Sequence, residues 1–321
     1  MKACLRRNYG PPETFQVIEI PKPKPKPNEV LVKVMASTIN RTDNGVSTGK
    51  PYAIRAFSGL FSPKIQVTGT DFAGIVEEVG AEVRDFHVGD RVWGFEDNGA
   101  GTHAEYLAYP VSKAILKMPD EMDFATMVAC AEGAHYAINF IKKVDLKPEM
   151  KVLVIGGTGA IGSAAIQILK AMEVRVTAVC FEEDVEKVNQ LGPDRVIGLE
   201  KEDFTQDSAA YDFVFDSVGK SRFSICKPVL KENGVYISSE LGPNWENLGL
   251  ALKGMFSKGK RVIFPLPLDI LDSLKTMQKL VEEGKFKPLI DDHRYTLDNV
   301  LEGFAYVASG KKKGNVILDL S

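Results

Sequence analysis

The sequence is poor in the side chains that announce metal or disulfide chemistry. Its cysteines are only four, Cys4, Cys130, Cys180 and Cys226, scattered and without a C-x-x-C pair. Neither a disulfide framework nor a clustered zinc site is expected from such spacing, and a reducing, cytoplasmic setting is. Of the four histidines, His87, His103 and His293 carry no spacing signal, and His135 is expected to be a structural histidine. Charge of one sign is also missing: 40 basic residues face 43 acidic ones, a formal charge of -3. A nucleic-acid binder that works through its net field is strongly basic, so no nucleic-acid partner is expected. No apolar run reaches the ~18 residues that would suggest a membrane span. The opening Met1-Lys2-Ala3-Cys4-Leu5-Arg6-Arg7 has no apolar core of a secretion signal.

What is present suits an ordinary soluble globular protein. The 321 residues are 44% hydrophobic, enough for two domains at roughly 100–200 residues each. Residues 14–20 and 29–35 read as strands, joined by a proline–lysine run at 21–27. That run is expected to be a stiff exposed connector rather than a polyproline ligand. Residues 40–50 are polar and turn-rich and read as a loop. Residues 51–61 are unusual for a loop, with Tyr52, Ile54, Phe57, Leu60 and Phe61, and suggest an apolar lid or pocket wall. From Lys151 the chain alternates strand-like runs (152–155, 174–180, 195–197, 213–215, 235–238, 262–264) with helical ones. Such alternation predicts a parallel sheet with helices on both faces.

The sharpest motif is Gly157-Thr158-Gly159-Ala160-Ile161-Gly162, a G-x-G-x-x-G that follows the apolar Val152-Leu153-Val154-Ile155 and opens an alanine-rich helical stretch. In that context it reads as a dinucleotide loop. The first glycine permits the turn, the second lets the backbone approach a pyrophosphate, and the third lets helix and sheet pack closely. The helix N-terminus then offers free N–H groups to the phosphates. Cofactor choice is read at the end of the second strand, here Cys180, which is neutral. The following Glu182-Glu183-Asp184 supplies no cation for a 2′-phosphate, so the residues alone leave NADPH and NADH both open.

Together with the glycine loop, three further groups of residues carry a resemblance that spans nearly the whole chain: 21–34, 69–80 and Gly89-Asp90-Arg91-Val92; Asn40-Arg41-Thr42-Asp43; and the closing Lys313-Gly314-Asn315-Val316-Ile317-Leu318. The sequence resembles the medium-chain dehydrogenase/reductase superfamily, and within it the zinc-free quinone oxidoreductase and enone reductase branch. The resemblance implies an α/β fold: a Rossmann doubly wound parallel sheet over 121–265, and a β-rich GroES-like catalytic domain over 1–120 completed by 266–321. It further implies NADPH as cofactor, with NADH a possibility, and a homodimer. The expected substrate is a small apolar quinone or conjugated carbonyl.

Zinc-dependent members of the superfamily place Cys where this chain has Asn40, and Gly-His-Glu where it has Gly69-Thr70-Asp71. A third ligand position falls at Cys130, and residues 93–106 lack the four cysteines of a structural zinc lobe. One thiolate does not make a catalytic zinc site, which needs three protein ligands, so no metal is expected. Metal-free chemistry suits conjugated acceptors, because hydride addition gives an enolate or phenolate that hydrogen bonds can stabilise. By resemblance, Asn40 lies beside the nicotinamide and the acceptor oxygen, with its amide as donor. Asp43 orients the loop or joins a proton network, and Tyr52 is the nearest candidate proton donor. Turn capping is the alternative role for Asn40 and Asp43, and packing for Tyr52. The glycine loop, Cys180, Ser217, Gly219, Ser238 and Asn315 are the expected cofactor contacts. A second apolar stretch, Trp245 to Phe256, is expected in the core, the cleft or a dimer contact. Two other functions compete: a zinc-free alcohol dehydrogenase or ketone reductase, and a non-catalytic dinucleotide-binding protein.

Overall fold

The computed structural model describes all residues except 51, 53, 54, 239 and 255–257, and the side chain of Phe57. Ile54, Met255 and Phe256 of the two apolar stretches, and Ser239, therefore lie outside the described residues. In chain order the strands are β1 (Lys2–Leu5), β2 (Gln16–Glu19), β3 (Glu29–Ile39), β4 (Asp71–Val79), β5 (Arg91–Phe95), β6 (Tyr106–Pro110), β7 (Ile115–Lys117), β8 (Lys151–Ile155), β9 (Arg175–Cys180), β10 (Arg195–Gly198), β11 (Tyr211–Asp216), β12 (Leu230–Ser238), β13 (Arg261–Ile263), β14 (Ile290–Tyr295) and β15 (Asn315–Asp319). They divide between two compact units.

The first unit comprises Met1–Glu132, Asp269–Glu282 and Ile290–Ser321. Its main sheet runs β14-β15-β3-β4-β5-β7, with β6 also on β3. The long strand β3 is the hub. Its first half pairs with β6, its second half with β15, and its other edge with β4, all antiparallel. Val30, Val32 and Val34 on β3 pack with Phe72, Val76, Val92 and Tyr109, and the Phe72 and Tyr109 rings meet edge to face at 4.9 Å. Burying each such aliphatic side chain is worth roughly 1.5–3 kcal/mol. A second cluster joins Cys4, Phe15 and Ile39 to Phe304, Val316 and Leu318.

The second unit comprises Gly133–Leu268 and Glu283–Leu289. Its sheet has the order β10-β9-β8-β11-β12-β13, every pair parallel. Val152, Leu153 and Val154 are fully buried, as a strand covered on both faces requires. The α/β class and the doubly wound sheet read from the alternation are thus found. The division of the chain differs from 1–120, 121–265 and 266–321. The helix Phe124–Val128 packs on β3 and β4 and stays with the first unit. Residues 283–289 join the second because Gln167 both donates to Lys287 O and accepts from Lys287 N, at 2.9 and 3.0 Å.

Residues 40–50, read as a loop, are in fact mostly a helix, Arg41–Thr48. Asn40 and Asp43 close a capping box at its start, and Gly49 ends it in the left-handed region at φ 62°. Polar composition hid the helix because caps, not an apolar stripe, define it.

Candidate active site

At the parallel sheet's C-terminal edge, β8 ends at Ile155, β9 at Cys180, β11 at Asp216 and β12 at Ser238. Strand order reverses across β8, and ligands of such sheets bind outside this edge at that point. The sharp turn after β8 is made by Gly156, at φ 87°, with the N–H groups of Gly156 and Gly157 both donating to Val179 O. This corrects the assignment of the turn to Gly157, which has an ordinary backbone and is packed near Val188, Ile166 and Ala178. Gly162 is the packing glycine: a Cβ there would lie 2.1 Å from Gly156 O.

Gly159 is the N-cap of the helix Ala160–Ala171, and no side chain caps it. A Cβ on Gly159 would meet nothing nearer than Gly156 O at 3.5 Å. The protein's own packing does not demand glycine there. The first-turn N–H groups of Ala160, Ile161 and Gly162 lack i−4 partners by helix geometry. Bare donors, a positive dipole end and unfilled space are what a dinucleotide pyrophosphate requires, so the residues present fit that group. Thr158 sits half-buried in the same loop.

Next along the edge, Ser217 Oγ donates to Ile155 O at 2.6 Å. Asp216 accepts from the N–H groups of Val218 (3.2 Å), Gly219 (2.8 Å) and Ser221 (3.1 Å), and from the Tyr236 hydroxyl (2.8 Å). It therefore shapes the loop through Gly219, at φ 65°. Ser238 is buried and accepts from Glu240 N. Cys180 is buried too, and its thiol is pushed up to about 12 by burial, then by Asp184, Glu182 and Glu200. The expected cofactor residues thus share one edge, apart from Asn315, which opens β15 in the first unit. Gly156, with its positive φ, is the turn position that the motif spacing passed over, and the doubled glycine before Thr158 was its legible signal.

In the first unit the predicted residues Asn40 and Asp43 stand together in a buried polar network. Asn40 Oδ1 accepts from Asp43 N at 2.7 Å, and Asp43 Oδ2 accepts from Asn40 N at 3.0 Å. Asn40 Nδ2 donates to Thr38 Oγ1 at 3.1 Å and to Thr70 Oγ1 at 2.9 Å. Thr38 in turn donates its hydroxyl to Asp71 Oδ2 (2.6 Å) and its N–H to Asp71 Oδ1 (2.7 Å). His103 holds Thr38 O through Nε2 at 2.9 Å and accepts from Thr68 through Nδ1 at 2.9 Å. Burial drives His103 down to about 4, so the ring is neutral. Asp43 is forced well above the usual carboxylate range by burial and by Asp71, and its Oδ1 has no hydrogen-bond partner among the described residues. Arg6, also buried, lies near it, and its Nε and Nη1 have no hydrogen-bond partner among the described residues. Glu132 accepts from Thr42 at 2.8 Å and is raised by burial.

Tyr52 stands apart, 66% exposed, with its ring 4.9 Å from the Arg55 guanidinium. Arg55 also stacks on Tyr9 and donates to Gly49 O. Leu60 and Phe61 are exposed, Phe61 at 90%. His135 and Cys130 are fully buried, the histidine lowered to about 4 by desolvation. Among the described residues no group of three His, Cys, Asp or Glu side chains is placed to hold a metal ion, and no helix is long and apolar enough to cross a membrane. Thr38, Thr70, Asp71 and His103 are members of this network that the motif reading did not nominate. The adjacency of Thr70-Asp71 to a ligand position of zinc relatives was the available signal.

Comparison with known proteins agrees with both halves. Residues 26–120 match the alcohol dehydrogenase GroES-like domain, and residues 191–318 match the zinc-binding dehydrogenase family. The chain is 30% identical over 339 residues to the chloroplast envelope quinone oxidoreductase homolog of Arabidopsis thaliana, covering 99% of this chain and 98% of that one. It is 29% identical to the NADPH-dependent alkenal/one oxidoreductase, chloroplastic, of the same plant, covering 99% and 79%. The solved quinone oxidoreductase of Coxiella burnetii shares the fold, with a TM-score of 0.87 at 23% identity over 99% of both chains. A GroES-like sheet joined to a dinucleotide-binding sheet defines the medium-chain dehydrogenase/reductase superfamily, and this chain belongs to it. Within the superfamily it is an oxidoreductase of the branch that holds quinone oxidoreductases and alkenal/one reductases.

Proposed function

We propose that the protein is a zinc-independent reductase that delivers a hydride to quinones or to the double bond of α,β-unsaturated carbonyls. The cofactor is a reduced nicotinamide dinucleotide: NADPH by the name of its Arabidopsis relative, with NADH the second choice because Glu182, Glu183 and Asp184 follow Cys180. The single observation that carries the reading is the pair Asn40 and Thr70. They occupy two ligand positions of zinc relatives and are hydrogen-bonded to each other at 2.9 Å. An amide and a hydroxyl are not the Cys, His or carboxylate donors that zinc takes, but an amide N–H suits an oxyanion.

The bound nicotinamide supplies the hydride. The chain's residues do the rest. Gly159 and the first-turn N–H groups of the helix Ala160–Ala171 hold the pyrophosphate, and Asp216 fixes the Val218–Gly219 loop beside it. The amide of Asn40 donates to the acceptor oxygen as negative charge gathers there. Burial and the nearby Asp71 push Asp43 well above the usual carboxylate range, which favours its uncharged form beside the acceptor. The proton for the α-carbon comes from solvent or from Tyr52. Exposed Trp245, Leu248 and Leu252 offer apolar surface for a homodimer, which sedimentation would detect. Four free, buried cysteines suit the cytoplasm.

The test is turnover by the purified chain with NADPH and NADH against a quinone, an enal, an enone and a simple alcohol, before and after chelation. Reduction of the conjugated acceptors, indifferent to chelator, is expected. Alcohol oxidation as the only turnover, or loss of activity on chelation, overturns the proposal.

A further inference from the structure

The amide of Asn40 has two hydrogens, and in this structure both are engaged, one by Thr38 and one by Thr70. To serve an acceptor oxygen it must surrender one. The two partners are not equal. The Thr38 hydroxyl donates its single hydrogen to Asp71 Oδ2 at 2.6 Å, so toward Asn40 it is an acceptor only. Asp71 grips Thr38 a second time through the backbone N–H at 2.7 Å, and Ser37 Oγ lies 3.2 Å from the same carboxylate oxygen. A hydroxyl polarised by a carboxylate binds more strongly than a neutral one. Thr70 also has a carboxyl neighbour, Asp43, but burial and the nearby Asp71 push that acid well above the usual carboxylate range, so it polarises the Thr70 hydroxyl less than Asp71, with its two bonds, polarises Thr38.

We propose that Asp71 is a positioning residue for the reduction: through Thr38 it decides which hydrogen of the Asn40 amide stays in the protein and which is released to the acceptor oxygen. The hydrogen on Thr38 is retained, and the one on Thr70 is handed over. The proposal rests on the reading that Asn40 touches the acceptor.

The chain Asn40–Thr38–Asp71 is polarised only while Asp71 is ionised. Burial pushes Asp71 up to about 7, against the Thr38 bonds that pull it down. The charged and titratable groups around it are Asp43 and Glu132, both raised; His103, neutral on Thr38 O; Arg6 across Asp43; and Lys312 across Glu132. Of these, Asp71 alone bonds the Thr38 hydroxyl. Turnover should therefore rise with pH through about 7 as Asp71 loses its proton.

The experiment measures kcat, KM and nucleotide Kd across pH for Asp71→Asn, Thr38→Val, Thr38→Ser and Asn40→Ala. Asp71→Asn and Thr38→Val should each lower kcat by about tenfold to a hundredfold, the scale of a misplaced reacting group, and flatten the limb near 7. Nucleotide Kd should hold, and Thr38→Ser should restore both kcat and limb. If Asp71→Asn does not fold, the Thr38 pair decides. Folded Asp71→Asn or Thr38→Val with parental kcat and pH profile overturns the proposal. Should Asn40→Ala itself keep full turnover, the reading of Asn40 falls and this proposal with it. Loss in Asn40→Ala alone sinks the positioning role but spares that reading.

Discussion

Two helices of this protein begin at residues read as functional, and they begin in opposite ways. The helix Ala160–Ala171 starts at Gly159 with no side-chain cap, while the helix Arg41–Thr48 starts at Asn40 with a reciprocal cap from Asp43. An N-cap side chain is worth ~1 kcal/mol against alanine but only about a few tenths against glycine, so the bare terminus forgoes little stability and leaves its N–H groups free of a side-chain cap. The capped terminus spends its donors internally and gains a rigidly held amide. One terminus is built to bind and the other to hold a side chain still.

That contrast can be broken in graded steps. The largest effect is expected from Asn40→Ala, which removes cap and donor together: turnover should fall ~10²–10³-fold, as when one oxyanion donor is lost, with nucleotide Kd preserved in titrations. Gly162→Val comes next. Its side chain would collide with Gly156 O, and thermal denaturation should show a loss of at least the ~1–3 kcal/mol typical of overpacking. Gly159→Val should separate binding from stability. Its Cβ meets only ordinary contacts, so the melting temperature should hold while nucleotide Kd weakens by roughly tenfold, about 1.4 kcal/mol.

Smaller still is the pH response of His103. Its folded value is about 4 against 6.5 for the free side chain. The unfolded chain therefore binds the proton first, and stability falls as pH drops from 6.5 toward 4. Asp71, raised to about 7, acts with the opposite sign below 7, so the difference between parent and His103→Gln is the quantity to measure. The variant should lose less stability on acidification. Tyr52→Phe is expected to change kcat least, because the phenol is 66% exposed and solvent can supply the proton. A drop of the ~10²-fold size of lost general-acid catalysis would make Tyr52 the donor.

The second unit was legible because its rules are local. A buried strand, a glycine turn and a helix follow each other within residues 151–171, and each leaves a mark in the sequence. Even there the pattern named Gly157 as the turn where the backbone uses Gly156, because spacing cannot tell which of two adjacent glycines takes positive φ. The first unit was legible mainly by resemblance. Its network joins Thr38, Asn40, Thr70, Asp71 and His103, which meet through antiparallel pairing and not through proximity in the chain. Strand β14, Ile-Asp-Asp-His-Arg-Tyr, has the polar content of a loop and becomes a strand only by pairing with β15. Polar side chains that satisfy one another in the interior look, residue by residue, like surface.

The hub strand β3 has a consequence for how the molecule is made. Residues 36–39 of β3 pair with β15, which is synthesised long after them. Until β15 emerges, the upper half of β3 has an open edge beside Ser37 and Thr38, the kind of edge that recruits foreign strands. The buried polar network around Thr38 therefore cannot be assembled as the ribosome delivers it. It waits for a distant segment, and any truncation that removes 315–319 should yield a chain prone to aggregate rather than a smaller working enzyme.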